Sequence, residues 1–216
     1  MTTVFLIDVD NTLLDNDRAK EDVARAIRRL AGPDRAARFW SLYEEVRADC
    51  GVVDYPETLR RFRRVFPEEG RLTDVERAVL EVPFERYLYP QALEVIARLW
   101  QYGDAAILSD GDRVYQPMKI ARAGLVLATR GNVLVYEHKE DHLAEVQRRF
   151  PAERYAHIDD RAALLARTKA GLRDRVTTVH VRQGHYATEG HSGAPPDIVV
   201  ERIADLLAID LDRRLA

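Results

Sequence analysis

Asp8 and Asp10 stand two residues apart, directly after the apolar run Val4 to Ile7. In an extended chain that spacing points both carboxylates the same way. Two anions so close repel each other unless a cation or a shared proton lies between them. A hard divalent cation with carboxylate and water ligands answers that need, and Mg²⁺ is the ordinary choice. Other polar groups follow apolar runs in the same manner. Ser109-Asp110-Gly111-Asp112 follows Ala105 to Leu108 and precedes a helix pattern, where a hydroxyl and backbone N–H groups could cradle phosphate or Ser109 or Asp110 could cap the helix. Glu137-His138-Lys139 follows Val133 to Tyr136, and Asp159-Asp160 follows Tyr155 to Ile158. The chain has 29 arginines and 4 lysines, so a lysine at such a place reads as a compact point charge that arginine would not supply. Lys119 and Lys169 share that rarity and are expected on ordinary helices. His138 and His142 lie one helical turn apart, but Lys-Glu-Asp between them lacks the order of a hydrolytic zinc site.

The elements that would position these groups are short strands and helices in alternation. Runs of strand length recur at 4–7, 105–108, 133–136, 155–158 and 176–181, with a last short one at 198–200. Several are continuously apolar, as strands buried on both faces are. Helix patterns at 113–123, 141–150 and 161–170 end at Gly124, before Pro151 and at Gly171. Alternation of this kind predicts a parallel sheet in the α/β class, whose ligands bind beyond the carboxyl ends of the strands. Two acids, a hydroxyl, an ammonium and two more acids are thereby delivered to one rim.

The first two strands are separated by about ninety residues without a convincing strand, far more than a crossover needs. That stretch reads as four helices: Val23, Ile27 and Leu30 share a face, as do Phe39, Tyr43 and Val46, then Leu59, Phe62 and Phe66, then Val75, Val79 and Val82. The expected division is an α/β core over 1–14 and 89–216 and a helical insert over 15–88. Gly184 to Pro196 is expected as a polar loop before the last strand and a closing helix.

Composition narrows the function classes. Of the residues 46% are hydrophobic and 32% charged, enough to build a core. The formal net charge of −3 and a pI near 6.1 favour neither nucleic acid nor an anionic membrane as partner. Cys50 is the single cysteine, which excludes an intrachain disulfide and a cysteine-built zinc site and fits a reducing compartment. The early apolar run, cut by Asp8 and Asp10, is far short of a signal-peptide core or a membrane span. The expectation is a cytoplasmic protein, a monomer or a small homo-oligomer.

The ordered set Phe5-Leu6-Ile7-Asp8-Val9-Asp10-Asn11-Thr12-Leu13, Leu108-Ser109-Asp110-Gly111, Lys139 and Ile158-Asp159-Asp160 resembles the haloacid dehalogenase (HAD) superfamily, in its Mg²⁺-dependent phosphatase branch. The resemblance covers nearly the whole chain, because the family's helical cap is also inserted between its first and second motifs. Where that first motif usually carries Gly, this chain has Asn11, a change of turn residue and not of a catalytic group. The resemblance implies a Rossmann-like core with an α-helical cap and a phosphomonoesterase of a small phosphorylated metabolite, working through an aspartyl-phosphate. It implies Asp8 as nucleophile and Asp10 as acid and base, with Thr12 and Ser109 on the phosphoryl oxygens and Lys139 offsetting their charge. Mg²⁺ would lie among Asp8, the backbone carbonyl of Asp10 and Asp160, with Asp159 behind them. Asp15 to Asp17 and Tyr87 to Pro90 are the expected hinges, and Tyr43, Arg47 and Tyr55 are cap candidates for contact with the leaving group.

Other functions remain beside this one. A 2-haloacid dehalogenase shares the fold and the aspartate nucleophile but uses no metal, so Asp10 and the Asp159-Asp160 pair speak against it. A phosphomutase would pass the same phosphate to a second alcohol, and a non-catalytic phosphate-binding protein would keep the fold alone. A phospho-accepting receiver module places its accepting acid after strand three, where this chain has Glu137-His138-Lys139.

Overall fold

Alternate residues of the first strand point into two different hydrophobic clusters, Phe5 and Ile7 into one and Val4 and Leu6 into the other. This period-2 division buries both faces of the sheet. The computed structural model describes residues 2–68, 70–190 and 193–211. Its strands are β1 (Thr3–Ile7), β2 (Asp104–Asp110), β3 (Val133–Tyr136), β4 (Arg154–Asp159), β5 (Val176–Val181) and β6 (Ile198–Val200). They form one parallel sheet in the order β3-β2-β1-β4-β5-β6. Ile7 lies beside Ile107 of β2 and Ile158 of β4, which brings the ends of these strands level. The chain order reverses at β1, between β2 and β4, and a crevice for ligands opens at such a switch point.

Between β1 and β2 run α1 (Asn16–Ala31), α2 (Pro33–Cys50), α3 (Tyr55–Val65), α4 (Leu72–Leu80), a 3-10 turn at Phe84–Tyr87 and α5 (Ala92–Leu99). Local chemistry sets their limits. Asp15 accepts the Arg18 N–H at 3.0 Å and Asp54 accepts the Glu57 N–H at 2.7 Å, each satisfying an amide at a helix start. Pro33 opens α2, and Gly51 closes it in the left-handed conformation at φ 76°. The larger cluster runs unbroken from Ile7 and Ile107 of the sheet into Val23, Ile27, Phe39, Phe62 and Val79 of these helices. The insert is therefore packed on the sheet by a shared apolar core.

The chain enters and leaves the insert through adjacent strands. The Asp15 N–H donates to Tyr87 O at 2.7 Å, the Tyr89 N–H donates to Leu13 O at 2.9 Å, and Leu14 pairs antiparallel with Leu88. After β2 come α6 (Tyr115–Arg122), α7 (Leu125–Ala128), α8 (Leu143–Arg149) and α9 (Ala162–Leu172). Asp112, rather than Ser109 or Asp110, bonds the amides at the head of α6, accepting from Val114 and Tyr115 at 2.8 and 2.7 Å. The expected closing helix is, over its described part, a 3-10 turn at Ile203–Leu207. Residues 212–216 of that expectation, and 191 and 192 of the predicted loop, lie outside the described residues. Among the described residues no helix is long and apolar enough to cross a membrane.

Candidate active site

Asp8 follows the last residue of β1, and its N–H donates to Ile158 O of β4 at 2.9 Å. Its side chain is buried, with Oδ1 2.6 Å from Lys139 Nζ. Lys139 donates to Asp8 Oδ1 and to Leu108 O at 3.2 Å, and its ammonium forms an ion pair with Asp159 Oδ2 at 2.7 Å. Burial disfavours its charge, but the carboxylates of Asp159, Asp8 and Asp110 outweigh it and hold the ammonium well above its ordinary pKa. Burial likewise opposes ionisation of Asp159, and Lys139 and His157 reverse the sign, keeping that carboxyl below the usual range. Asp8 goes the other way. Burial raises it to about 7, against the pull of Lys139 and with the push of Asp159 and Asp10.

Asp160 is the uncompensated member of the group. Its Oδ2 is buried and has no hydrogen-bond partner among the described residues. Burial, then the charges of Asp159 and Asp8, push its pKa up to about 10. One carboxylate oxygen each from Asp8, Asp159 and Asp160 lies within 4.8 Å of the others. Three buried acids facing one lysine, with Asp159 Oδ2 held only by ion pairs and Asp160 Oδ2 by none among the described residues, fit a hard divalent cation, which takes oxygen ligands and supplies the missing positive charge.

Asp10 is turned toward a different lysine. Lys119 Nζ, on α6 and buried, donates to Asp10 Oδ1 and Oδ2 at 2.6 and 2.8 Å and to Asn16 Oδ1 at 2.9 Å. Gln116, one turn earlier, donates to Asp10 Oδ2 at 3.3 Å and to Ser109 Oγ at 2.9 Å. Lys119 is thus not the ordinary helix residue expected from the sequence. The expectation ignored helical phase: 116 and 119 are three apart and face the same way. Lys169 does sit on a helix, α9, where it pairs with Asp197 at 2.9 Å.

A cavity of about 440 Å³ opens over these groups. Asp8, Asp10, Ser109, Lys139 and Asp160 line it, as do Tyr43, Arg47 and Tyr55 from the insert. Asp159 stands behind Asp8 and Asp160 within the acidic group. Thr12, expected on a phosphoryl oxygen, is fully buried and is not among the lining residues. It lies inside the Val9–Leu14 turn, where its N–H reaches Val9 O at 3.3 Å and its hydroxyl has no partner among the described residues. Asn11 does more than replace a turn glycine. At φ 60° it accepts the N–H groups of Asn16 and Asp17 at 3.1 and 3.2 Å and reaches His185 Nδ1 at 3.3 Å. His138 lines the cavity and His142 stacks on Tyr136, so the two rings serve no common centre.

The sequence signal that could have found more of this site is lysine scarcity. Of the four lysines, Lys20, Lys119 and Lys139 all line the cavity. Lys20, on α1, places its ammonium 4.5 Å from the Tyr43 ring centre and 5.4 Å from that of Trp40. Tyr43 meets Tyr55 at 5.2 Å, and Tyr55 meets Tyr115 of α6 at 4.8 Å. Burial pushes Tyr43 up to about 12, with Tyr55 and Tyr115 also raised, so these phenols stay neutral.

No family model matches the chain, and no curated protein matches it either. Solved structures do. A protein from Burkholderia xenovorans LB400, described as a haloacid dehalogenase-like hydrolase, is 41% identical, with 100% of this chain and 99% of that one covered at a TM-score of 0.89. The chain belongs to the haloacid dehalogenase superfamily. Two more distant HAD structures share the fold. The magnesium-bound HAD hydrolase YfnB from Bacillus subtilis is 17% identical at a TM-score of 0.61, covering 96% of this chain and 97% of its own. The L-2-haloacid dehalogenase from Xanthobacter autotrophicus, with chloropropionic acid covalently bound, is 22% identical at 0.63, covering 100% of each. The α/β core with its parallel sheet is thus that of a HAD protein.

Proposed function

We propose that this HAD protein is a Mg²⁺-dependent phosphomonoester hydrolase of the cytoplasm, acting on a small phosphorylated metabolite through an aspartyl-phosphate on Asp8. The observation that carries the reading is the second acid. Asp10 lines the cavity beside Asp8, aimed by Lys119 and Gln116, and beside it lies the partnerless buried Asp160. Displacement of halide from carbon needs neither an acid for the leaving group nor a cation cage. Hydrolysis of a phosphate ester needs both.

Asp8, Asp160 and the Asp10 carbonyl would hold Mg²⁺, which supplies charge neutralisation for the transferring phosphoryl group. An Asp8 carboxylate oxygen attacks phosphorus, and the bond to the ester oxygen breaks. Asp10, which must enter this step protonated, gives that oxygen its proton, so the alcohol leaves neutral. Asp10, now a carboxylate, takes a proton from water as the water attacks the aspartyl-phosphate, releasing phosphate and restoring Asp8. Lys139 keeps Asp8 in place and offsets the charge beside it, and the Ser109 hydroxyl, fixed by Gln116, is presented to a phosphoryl oxygen. The helices of 15–88 act as a cap that excludes water over the core of 1–14 and 89–216.

Phosphate release from a panel of small phosphate esters tests the reading, with Mg²⁺ and with EDTA, alongside chloride release from 2-chloropropionate. Wild type is expected to release phosphate only with the metal, and folded Asp8→Asn none at all. Chloride release that persists in EDTA without phosphate release would replace this reading with the dehalogenase one.

A further inference from the structure

The cations that line the cavity divide by partner. On the core side each lysine and arginine is neutralised by an acid: Lys119 by Asp10 at 2.6 Å, Lys139 by Asp8 at 2.6 Å and Arg161 by Asp110 at 3.3 Å. On the insert side this is not so. Lys20 has no carboxylate within ion-pair distance among the described residues, and its ammonium rests on the rings of Tyr43 and Trp40. Arg47, one turn beyond Tyr43 on α2, has only Glu44 at 3.7 Å, on a pair that is more than half exposed. The tyrosines between these cations and the core are neutral. The cavity thus has a floor of acids set against their own lysines, and a roof on which, among the described residues, Lys20 has no carboxylate in ion-pair reach and Arg47 only the exposed Glu44.

Holding an ammonium half out of water without an acid beside it is unfavourable unless something that visits the site supplies the anion. Burial lowers the Lys20 pKa, with Glu44 and Asp17 opposing that and Arg47 adding to it. Aromatic faces offer a partial substitute, attracting the ammonium through their quadrupoles. A phosphoryl group seated at Asp8 occupies the floor, so an anion at the roof belongs to the other end of the same small molecule. The volume, near the lower end of ligand sites of roughly 300–1,000 Å³, suits a compact molecule spanning both.

Resting on the phosphomonoesterase reading, we infer that Lys20 and Arg47 form an anion subsite, and that the substrate is a phosphate ester whose alcohol carries a second anionic group, a carboxylate or another phosphate. Tyr43 and Tyr55 provide the neutral wall along its carbon chain. A neutral alcohol of the same length would leave Lys20 without a partner.

The test uses phosphonates, which the enzyme cannot turn over: 3-phosphonopropionate with a distal carboxylate, ethane-1,2-bisphosphonate with a distal phosphonate, and propylphosphonate with neither. Affinities are measured by calorimetry with Mg²⁺ on wild type, Lys20→Met, Arg47→Gln and the double variant. Methionine keeps the stem against the rings and removes the charge. Wild type is expected to prefer at least one of the two ligands with a distal anionic group over propylphosphonate by roughly ten- to a hundredfold, the worth of a charged hydrogen bond. That ratio falls in each single variant and approaches one in the double variant, and the preferred partner tells carboxylate from phosphate. Equal binding of all three by wild type, or a preference that survives in the double variant, overturns the inference. If Lys20→Met does not fold, the wild-type ratio and its change in Arg47→Gln decide alone. Turnover of p-nitrophenyl phosphate by wild type, an ester without a second anion, separates the failures. Turnover without preference removes only the subsite, and preference without turnover removes only the hydrolase reading.

Discussion

Replacing Asp160 by asparagine keeps the shape of the side chain and removes a carboxyl whose ionised form the fold does not compensate. Burial, with Asp159 and Asp8, pushes the Asp160 carboxyl from its ordinary 3.8 up to about 10. An acid raised in this way contributes its full stability below the unfolded pKa and loses it as pH rises through the folded one. In metal-free protein each pH unit in that window costs about 1.4 kcal/mol, so the loss between pH 4 and pH 7 is about 4 kcal/mol. The Asp160→Asn variant escapes it. Urea unfolding in EDTA, from about pH 4 to about pH 8, compares the two proteins. The variant is expected to be several kcal/mol more stable near neutrality, the gap closing toward the acid end. With Mg²⁺ added the order reverses, because ligand binding to the folded state stabilises only the protein that binds it. A metal-free gap that is absent, or that widens as pH falls, would refute the description of Asp160 as a buried acid held neutral until a cation arrives.

Further outcomes concern the neighbours of Asp10 and Asn11. Lys119→Met removes the two hydrogen bonds that aim Asp10 and a third to Asn16, and is expected to slow release of poor alcohol leaving groups by about a hundredfold while aryl phosphates, whose phenolates leave unaided, lose far less. Equal losses for both leaving groups, measured as kcat, would mean that Lys119 only supports the fold. Gly184 is left-handed at φ 67°, and a Cβ there would meet the Asn11 side chain at 2.4 Å, so Gly184→Ala is expected to cost about 1–3 kcal/mol in urea unfolding. Asn11→Gly should relieve the clash at the expense of its own hydrogen bonds, so the double variant costs less than the sum of the singles; additive costs would show that the two positions do not touch.

The strands and the acids at their ends were legible because both signals are local. A run such as Val4 to Ile7 reports burial on two faces, and Asp8 lies one residue past it. The length of the gap before β2 announced an insert, and apolar spacing gave its helices. Lys119 and Lys20 were not legible in the same way. Each sits on an amphipathic helix where a lysine on the polar face is ordinary, and only the packing of α6 and α1 over the strand ends turns that face toward the cavity. Thr12 is the converse: its sequence position suggests an exposed hydroxyl, but the turn closed by Asn11 and Leu14 rolls that hydroxyl inward. The capping role of Asp112 was hidden because Ser109, Asp110 and Asp112 have equal chemistry for it, and the chain geometry after β2 decides among them.

The two chain crossings into the insert lie side by side, joined through Leu14 and Leu88. Such a ribbon would serve as the spine of a book if the helices beyond it swung as one body, with displacement growing with distance from that axis. Asn16 sits against the spine and reaches Lys119, whereas Arg47 and Tyr55 lie out on the cover. The aim of Asp10 would then outlast each opening, and only the grip on the far end of the guest would be released and remade with every turnover.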